Sequence, residues 1–266
     1  MRRIETAKGH HYKDAHGHRI PGVTTILGDG MPKPALINWA ANATAEWAVD
    51  NFDQLTEMTP AVRLKTLQGA RYETSDKAKH KGTVVHGYAE RLVKGEKVAG
   101  IPDELRGHVE AYVRFIDKFE VDPILVETSV VNYRIGYAGT LDLVAELTDP
   151  TGERRRLLLD AKTNEKGIFG ETALQLAAYR YAEFYLDGSG AEHPMIDVDG
   201  CGAILISSTD AQLIPTASGP DEFKAFRIVY AMRDIVNSSR DLVGSPVEPH
   251  DPNPSLATVV YQEQQP

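Results

Sequence analysis

The stretch Gly139 to Lys162, GTLDLVAELTDPTGERRRLLLDAK, decides how this chain folds. Two apolar, β-prone runs flank the turn-rich segment TDPTGE, so the spacing predicts a β-hairpin. Side chains alternate faces along a strand, which groups Leu158, Asp160 and Lys162 on one face and Leu157, Leu159 and Ala161 on the other. In the preceding strand the same rule groups Thr140, Asp142 and Val144. With Thr151 at the centre of the turn, the numbers of cross-strand partners sum to twice 151, which sets Asp142 against Asp160. Directly opposed residues have Cβ atoms about 5 Å apart. Two carboxylates at that distance call for a shared proton or a divalent cation between them. A slip of one residue would carry one aspartate to the other face.

Working outward, ILVETSVVNYR after Pro123 supplies a further strand ahead of Gly136, so the centre of the chain reads as an antiparallel meander. Beyond the hairpin, Glu171 to Leu186 reads as a helix with Leu174, Ala178, Tyr181 and Tyr185 on one side. GCGAILISS and DAQLIPTA follow as strands, and DEFKAFRIVYAMRDIVNSSRDL as a last helix. Upstream, residues 34 to 120 carry helical spacing. Leu36, Trp39, Ala40, Ala43 and Trp47 form a stripe expected to pack on the core, with the tryptophans as anchors. Further helices are expected over residues 60–70, 73–94 and 103–120. Before them, residues 9–27 read as a hairpin around Gly17 leading into a strand from Val23 to Leu27. The histidines His10, His11, His16 and His18 lie on that hairpin without an acid cluster beside them, which makes chelation there the weaker reading. The pattern gives one mixed α/β domain over residues 1–245, mainly helical to residue 120 with the sheet core after it, and a flexible tail over 246–266.

Composition narrows the function classes. The chain has 266 residues, 42% hydrophobic and 25% charged, with a formal charge of −9. Such a charge argues against a protein that coats nucleic acid wholesale, but not against a local basic groove beside a metal site. No apolar run reaches membrane-spanning length and the N-terminal residues lack the apolar core of a signal peptide, so a cytoplasmic protein away from membranes is expected. The single cysteine, Cys201, leaves no internal disulfide and no four-cysteine cluster. No GxxxxGK[ST] sequence occurs, so no ATP site of that kind is expected.

Asp160-Ala161-Lys162 and Glu222-Phe223-Lys224 are the two acid-x-Lys triplets, as many as chance supplies from 38 acids and 13 lysines. The first therefore draws its meaning from its place at the end of an apolar strand, one hairpin after Asp142. In the helical part, His86 and Glu90 stand four apart and share a helix face. They read either as a surface pair or as groups reaching a metal. Lys77, Lys79 and Lys81 just before them read either as a solvated run or as phosphate contacts.

Four elements in this order, Gly82 to His86 (GTVVH), Gly139 to Asp142 (GTLD), Asp160 to Lys162 (DAK) and Gln175 to Tyr179 (QLAAY), resemble the PD-(D/E)XK nuclease superfamily. The likeness is greatest to its RecB-like branch of recombination, phage and CRISPR-adaptation exonucleases. It covers residues 80 to 186, and VTTIL with KPALINWAA is similar to phage members. The lone cysteine sets this chain apart from branch members that carry an iron-sulfur cluster.

The resemblance implies a restriction-endonuclease-like core, a central mixed β-sheet flanked by helices. It implies a Mg²⁺- or Mn²⁺-dependent deoxyribonuclease acting on DNA ends in phage or bacterial recombination and repair, alone, as a homo-oligomer or with a recombination protein. His86, Asp142, Asp160 and the Ala161 carbonyl would hold the metal, and Lys162 would orient water or offset charge at phosphorus. Glu90 would be a supporting or second-metal ligand. Gln175 and Tyr179 would contact the DNA backbone or support Lys162. An endonuclease of the same fold and a silent DNA-binding derivative are the alternatives.

Overall fold

The computed structural model describes residues 1–6, 9–163 and 167–246, with the backbone alone for residues 73–79 and 240. The tail expected over 246–266 lies outside the described residues from 247 on. A small antiparallel sheet opens the chain, with β1 (Arg2–Thr6), β2 (Gly9–Lys13) and β3 (Arg19–Ile20) in that order. Helices α1 (Val23–Gly30), α2 (Pro34–Asp50), α3 (Phe52–Glu57), α4 (Pro60–Val93) and α5 (Asp103–Phe119) follow. The remainder alternates strands and helices: β4 (Asp122–Asn132), β5 (Tyr137–Thr148), β6 (Arg154–Lys162), α6 (Glu171–Arg180), β7 (Phe184–Leu186), β8 (Glu192–Pro194), β9 (Gly200–Ile206), β10 (Ala211–Thr216) and α7 (Pro220–Ser238).

The main sheet has seven strands in the order β10-β9-β6-β5-β4-β7-β8. It is mixed, because β6 and β9 run parallel while the other neighbours run antiparallel. Its centre is the expected meander. The β5–β6 hairpin has the predicted register, from Leu143↔Leu159 to Thr148↔Arg154. Asp149 sets the turn: its Oδ1 accepts from the backbone N–H groups of Thr151 at 2.8 Å and Glu153 at 3.0 Å, and Gly152 takes φ 86°.

One face of the sheet packs against α1, α6 and α7 through Val144, Leu158, Leu176 and Phe226, all at most 1% exposed. The other packs against α4 and α5 through Val85, Phe115, Leu159 and Ile204. Residues buried on two faces explain why β6 reads as a continuous leucine run rather than an alternating one.

Several sequence expectations change. Val23 to Leu27 is helical, because Val23, Ile26, Leu27 and Gly30 bury at three- and four-residue spacing and tertiary packing overrides their β-branched preference. The helix expected to Leu186 stops at Arg180, and Phe184–Leu186 pairs with β4 through Val131↔Phe184 and Val130↔Tyr185. Aromatic side chains beside an open strand edge favour that pairing over another helical turn. The two helices expected over 60–94 are one, with no proline after its first residue to break it. The α2 stripe does not reach the main core. Ala43 is the one buried residue of α2, both tryptophans are half-buried, and the helix packs on α4.

No described helix is long and apolar enough to cross a membrane.

Candidate metal centre

The site forms where β4, β5 and β6 pass between α4 on one face and α6 on the other. Strand alternation breaks at two facing positions. On β5, Leu141 and Val144 pack toward α6 and α7 while Leu143 packs toward α4 and α5, so Asp142 and Leu143 turn the same way. On β4, Val126 and Glu127 do likewise. The ladder runs Val126↔Leu143 and resumes at Thr128↔Leu141, leaving Glu127 and Asp142 outside it. Glu127 has φ 46°, left-handed backbone that a non-glycine residue adopts at a cost of roughly 1–3 kcal/mol. Both carboxylates thereby face α4, where His86 stands.

One ligand atom each from His86, Glu127 and Asp142 lie within 4.8 Å of one another, the one such group among the described residues. His86 Nδ1 is 3.6 Å from Asp142 Oδ2 and 4.0 Å from Glu127 Oε1. Its Nε2 donates to the Ala161 carbonyl at 2.6 Å, and the Ala161 N–H donates to Asp142 Oδ2 at 2.8 Å. Burial opposes the imidazolium, but the Glu127 carboxylate, the Asp142 charge and the Ala161 carbonyl outweigh it and push His86 up to about 9. Burial and the Asp160 charge push Asp142 up to about 7, against the pull of His86 and Lys162. The cluster thus demands positive charge between its acids, and in the metal-free protein the His86 proton supplies it.

Asp160 occupies the other face of the sheet, toward α6. Its Oδ1 accepts from Gln175 Nε2 at 2.8 Å, while Oδ2 lies 2.6 Å from Lys162 Nζ with no well-aligned hydrogen bond. The expectation that Asp142 and Asp160 share a face is therefore corrected. The register is as predicted, but the break after Asp142 keeps that residue in phase with Thr140 and out of phase with Val144. Asp160 stays close enough for its charge to act on Asp142 and His86.

Gln175 and Tyr179 are 9% and 3% exposed. They support Asp160 from within the core, and Tyr179 offers no surface for DNA. A Cβ at Gly139 would stand 2.4 Å from Tyr179 Cε1, so this ring requires glycine there. Glu90 lines the same small cavity as His86, Glu127 and Asp142, and is paired with Lys94 at 2.6 Å. That cavity, about 20 Å³, admits one water or one ion. Lys81 is half-buried on α4, and the side chains of Lys77 and Lys79 lie outside the described residues.

Glu127 and Tyr12 escaped the sequence reading. An acid in the middle of the apolar run ILVETSVV was the available signal for Glu127. Tyr12 comes from the N-terminal sheet, where its hydroxyl meets Thr140 Oγ1 at 2.8 Å and His10 Nε2 at 2.9 Å. The four N-terminal histidines do not converge, since His10 bonds Tyr12 and His18 bonds Asp14.

The donor set fits a hard divalent cation. Two carboxylates and one imidazole nitrogen suit Mg²⁺ or Mn²⁺, with the nitrogen favouring Mn²⁺. No family model matches the chain, and no curated protein matches it.

Proposed function

We propose that this protein is a divalent-metal-dependent deoxyribonuclease of the PD-(D/E)XK type, acting as an exonuclease on DNA ends. One observation carries the reading: His86, Glu127 and Asp142 converge within 4.8 Å, the two acids from the middle of adjacent strands, beside the Asp160–Lys162 pair that ends the next strand. Glu127, Asp142 and His86 Nδ1 would hold the cation, with Asp160 at its flank. When bound, the cation supplies Lewis acidity at the phosphate and a lowered pKa for bound water.

The chain's own groups do the rest. Gln175 fixes one oxygen of Asp160, which leaves the other to hold the Lys162 ammonium in place. Lys162 is 31% exposed at its side chain, enough to meet a phosphate oxygen, and its charge offsets the negative charge that builds there as water adds to phosphorus and the sugar oxygen leaves. His86 must give up its Nδ1 proton to become a ligand, so binding of the cation releases a proton.

The test is cleavage of end-labelled linear DNA and of closed circular DNA with Mg²⁺, Mn²⁺ or EDTA. Metal-dependent loss of linear DNA alone is the expected result. Cutting of closed circles would make the enzyme an endonuclease, and absence of metal-dependent cleavage of any nucleic acid would overturn the reading.

A further inference from the structure

The helices α2 and α4, with Gly28 and Met31 at the end of α1, bound an open groove of about 1180 Å³. Lys33, Leu36, Ile37 and Trp39 form one wall, and Arg71 and Tyr72 stand on the other. None of the lining residues is acidic, in a chain that carries 38 acids and a net charge of −9. Tyr72 is 53% exposed, and the Arg71 guanidinium lies 4.6 Å over its ring and donates to its hydroxyl at 2.6 Å.

Two links tie this groove to the candidate metal centre. Lys33 Nζ pairs with Glu171 at 3.0 Å, and Glu171 opens α6, the helix whose next turn carries Gln175 and through it Asp160. Tyr72 and His86 both belong to α4. At about 100° per residue their spacing brings them to within roughly 40° around the helix, and at a 1.5 Å rise they are roughly 21 Å apart along it. One face of one helix therefore runs from the groove to the site.

We propose that this groove binds single-stranded nucleic acid, with bases on Trp39 and Tyr72 and phosphates beside Arg71 and Lys33, and leads the strand along α4 to the carboxylates. The proposal rests on the nuclease reading for its direction and on the groove's own chemistry for its occupant. Aromatic faces combined with cations take up any unpaired base and its phosphate. A duplex keeps its bases stacked inside and gives exposed rings nothing to hold. An amphipathic protein helix would suit Leu36 and Ile37, but it has no need of a lining free of acids or of a cation stacked on a ring.

The experiment uses the full chain with Asp160→Asn, so that DNA survives, and with Trp47→Phe, so that Trp39 is the one tryptophan left. Labelled oligo-dT and a blunt duplex of equal length are titrated in turn. The expected result is tighter binding of oligo-dT with quenching of Trp39. Trp39→Ala and Tyr72→Ala should each weaken it on the order of tenfold, with Trp39→Phe and Tyr72→Phe close to the parent. Arg71→Ala should lower the dependence of affinity on salt. The Phe variants and unchanged melting temperatures exclude simple misfolding.

Equal affinity for duplex, or Ala variants that bind oligo-dT like the parent, would overturn the proposal. If the wild-type protein cleaves DNA while groove variants neither bind nor cleave differently, the groove assignment fails and the nuclease reading stands. If nothing is cleaved with any metal but oligo-dT still quenches Trp39, the nuclease reading fails and the groove assignment stands.

Discussion

The sheet centre built by β4, β5 and β6 and the arm built by α2 and the first half of α4 hold their side chains by opposite means. At the sheet centre Val130, Leu141, Val144 and Leu158 are fully buried, and every acid of the site has a named partner. On the arm Leu36 and Ile37 are 54% and 72% exposed and α2 buries Ala43 alone. The first region is over-determined by packing, so chemistry there depends on positions fixed to fractions of an ångström. Little of the arm's surface is committed to folding, and substitutions there should act on what it binds rather than on whether the chain folds.

The largest effect that would break this contrast concerns activity. Asp142→Asn, Asp160→Asn and Lys162→Ala should each lower metal-dependent DNA cleavage on the order of 10³-fold, read as initial rates on linear DNA, with far-ultraviolet circular dichroism unchanged. A variant that kept more than a tenth of the rate would remove its residue from the proposed chemistry. Next in size is the packing beneath the site. Leu158→Ala should cost roughly 2–5 kcal/mol in urea unfolding, and Gly139→Ala roughly 1–3 kcal/mol, because the added methyl meets the Tyr179 ring.

What the sequence disclosed follows the same division. The hairpin register was legible, because TDPTGE marks its turn and strand pairing then propagates residue by residue. The break after Asp142 was not, since alternation is a local rule and this departure arises only where Glu127 and Asp142 face each other across two strands. Glu127 itself was hidden by the same rule, which reads an acid in an apolar strand as pointing to solvent. Phe184 to Leu186 looked helical because Tyr181 and Tyr185 are four apart, and only the open edge of β4 decides otherwise. The tryptophans of α2 looked like core anchors, because helical spacing reports that a stripe exists and not what lies across from it. His86, Asp142, Asp160, Lys162 and Gln175 lie near one another, yet their division between the two faces of the sheet required the structure.

The pH dependence in EDTA sharpens the picture of the sheet centre. His86 is raised from 6.5 to about 9, so its contribution is fully present below pH 6.5 and is lost as pH rises through 9. Asp142, raised from 3.8 to about 7, contributes stability present below 3.8 that is lost as pH rises through 7. Both act in one direction. The melting temperature in EDTA should fall between about pH 4 and pH 9, Mn²⁺ should reduce that fall, and His86→Gln should flatten its upper part. A melting temperature that rose across this window would contradict the arrangement of charges described here.

Glu127 separates stability from activity at one residue. In EDTA near pH 10, where His86 has lost its proton and no longer attracts it, Glu127→Gly should raise unfolding free energy by roughly 1 kcal/mol, because glycine adopts φ 46° without strain. The same change should end metal-dependent cleavage. A loss of both together would mean that the left-handed backbone is well supported and that the carboxylate matters to folding.

The smallest expected effect tests the arm. Ile37→Ser should change unfolding free energy by no more than roughly 0.5 kcal/mol, because a side chain 72% exposed gives up little burial when it is removed. A cost of 2 kcal/mol or more would make the wall around Ile37 part of the core and leave Trp39 a packing residue. A near-zero cost accompanied by weaker binding of oligo-dT would instead assign the exposed apolar surface to a ligand, which is the distinction between the two regions in its sharpest form.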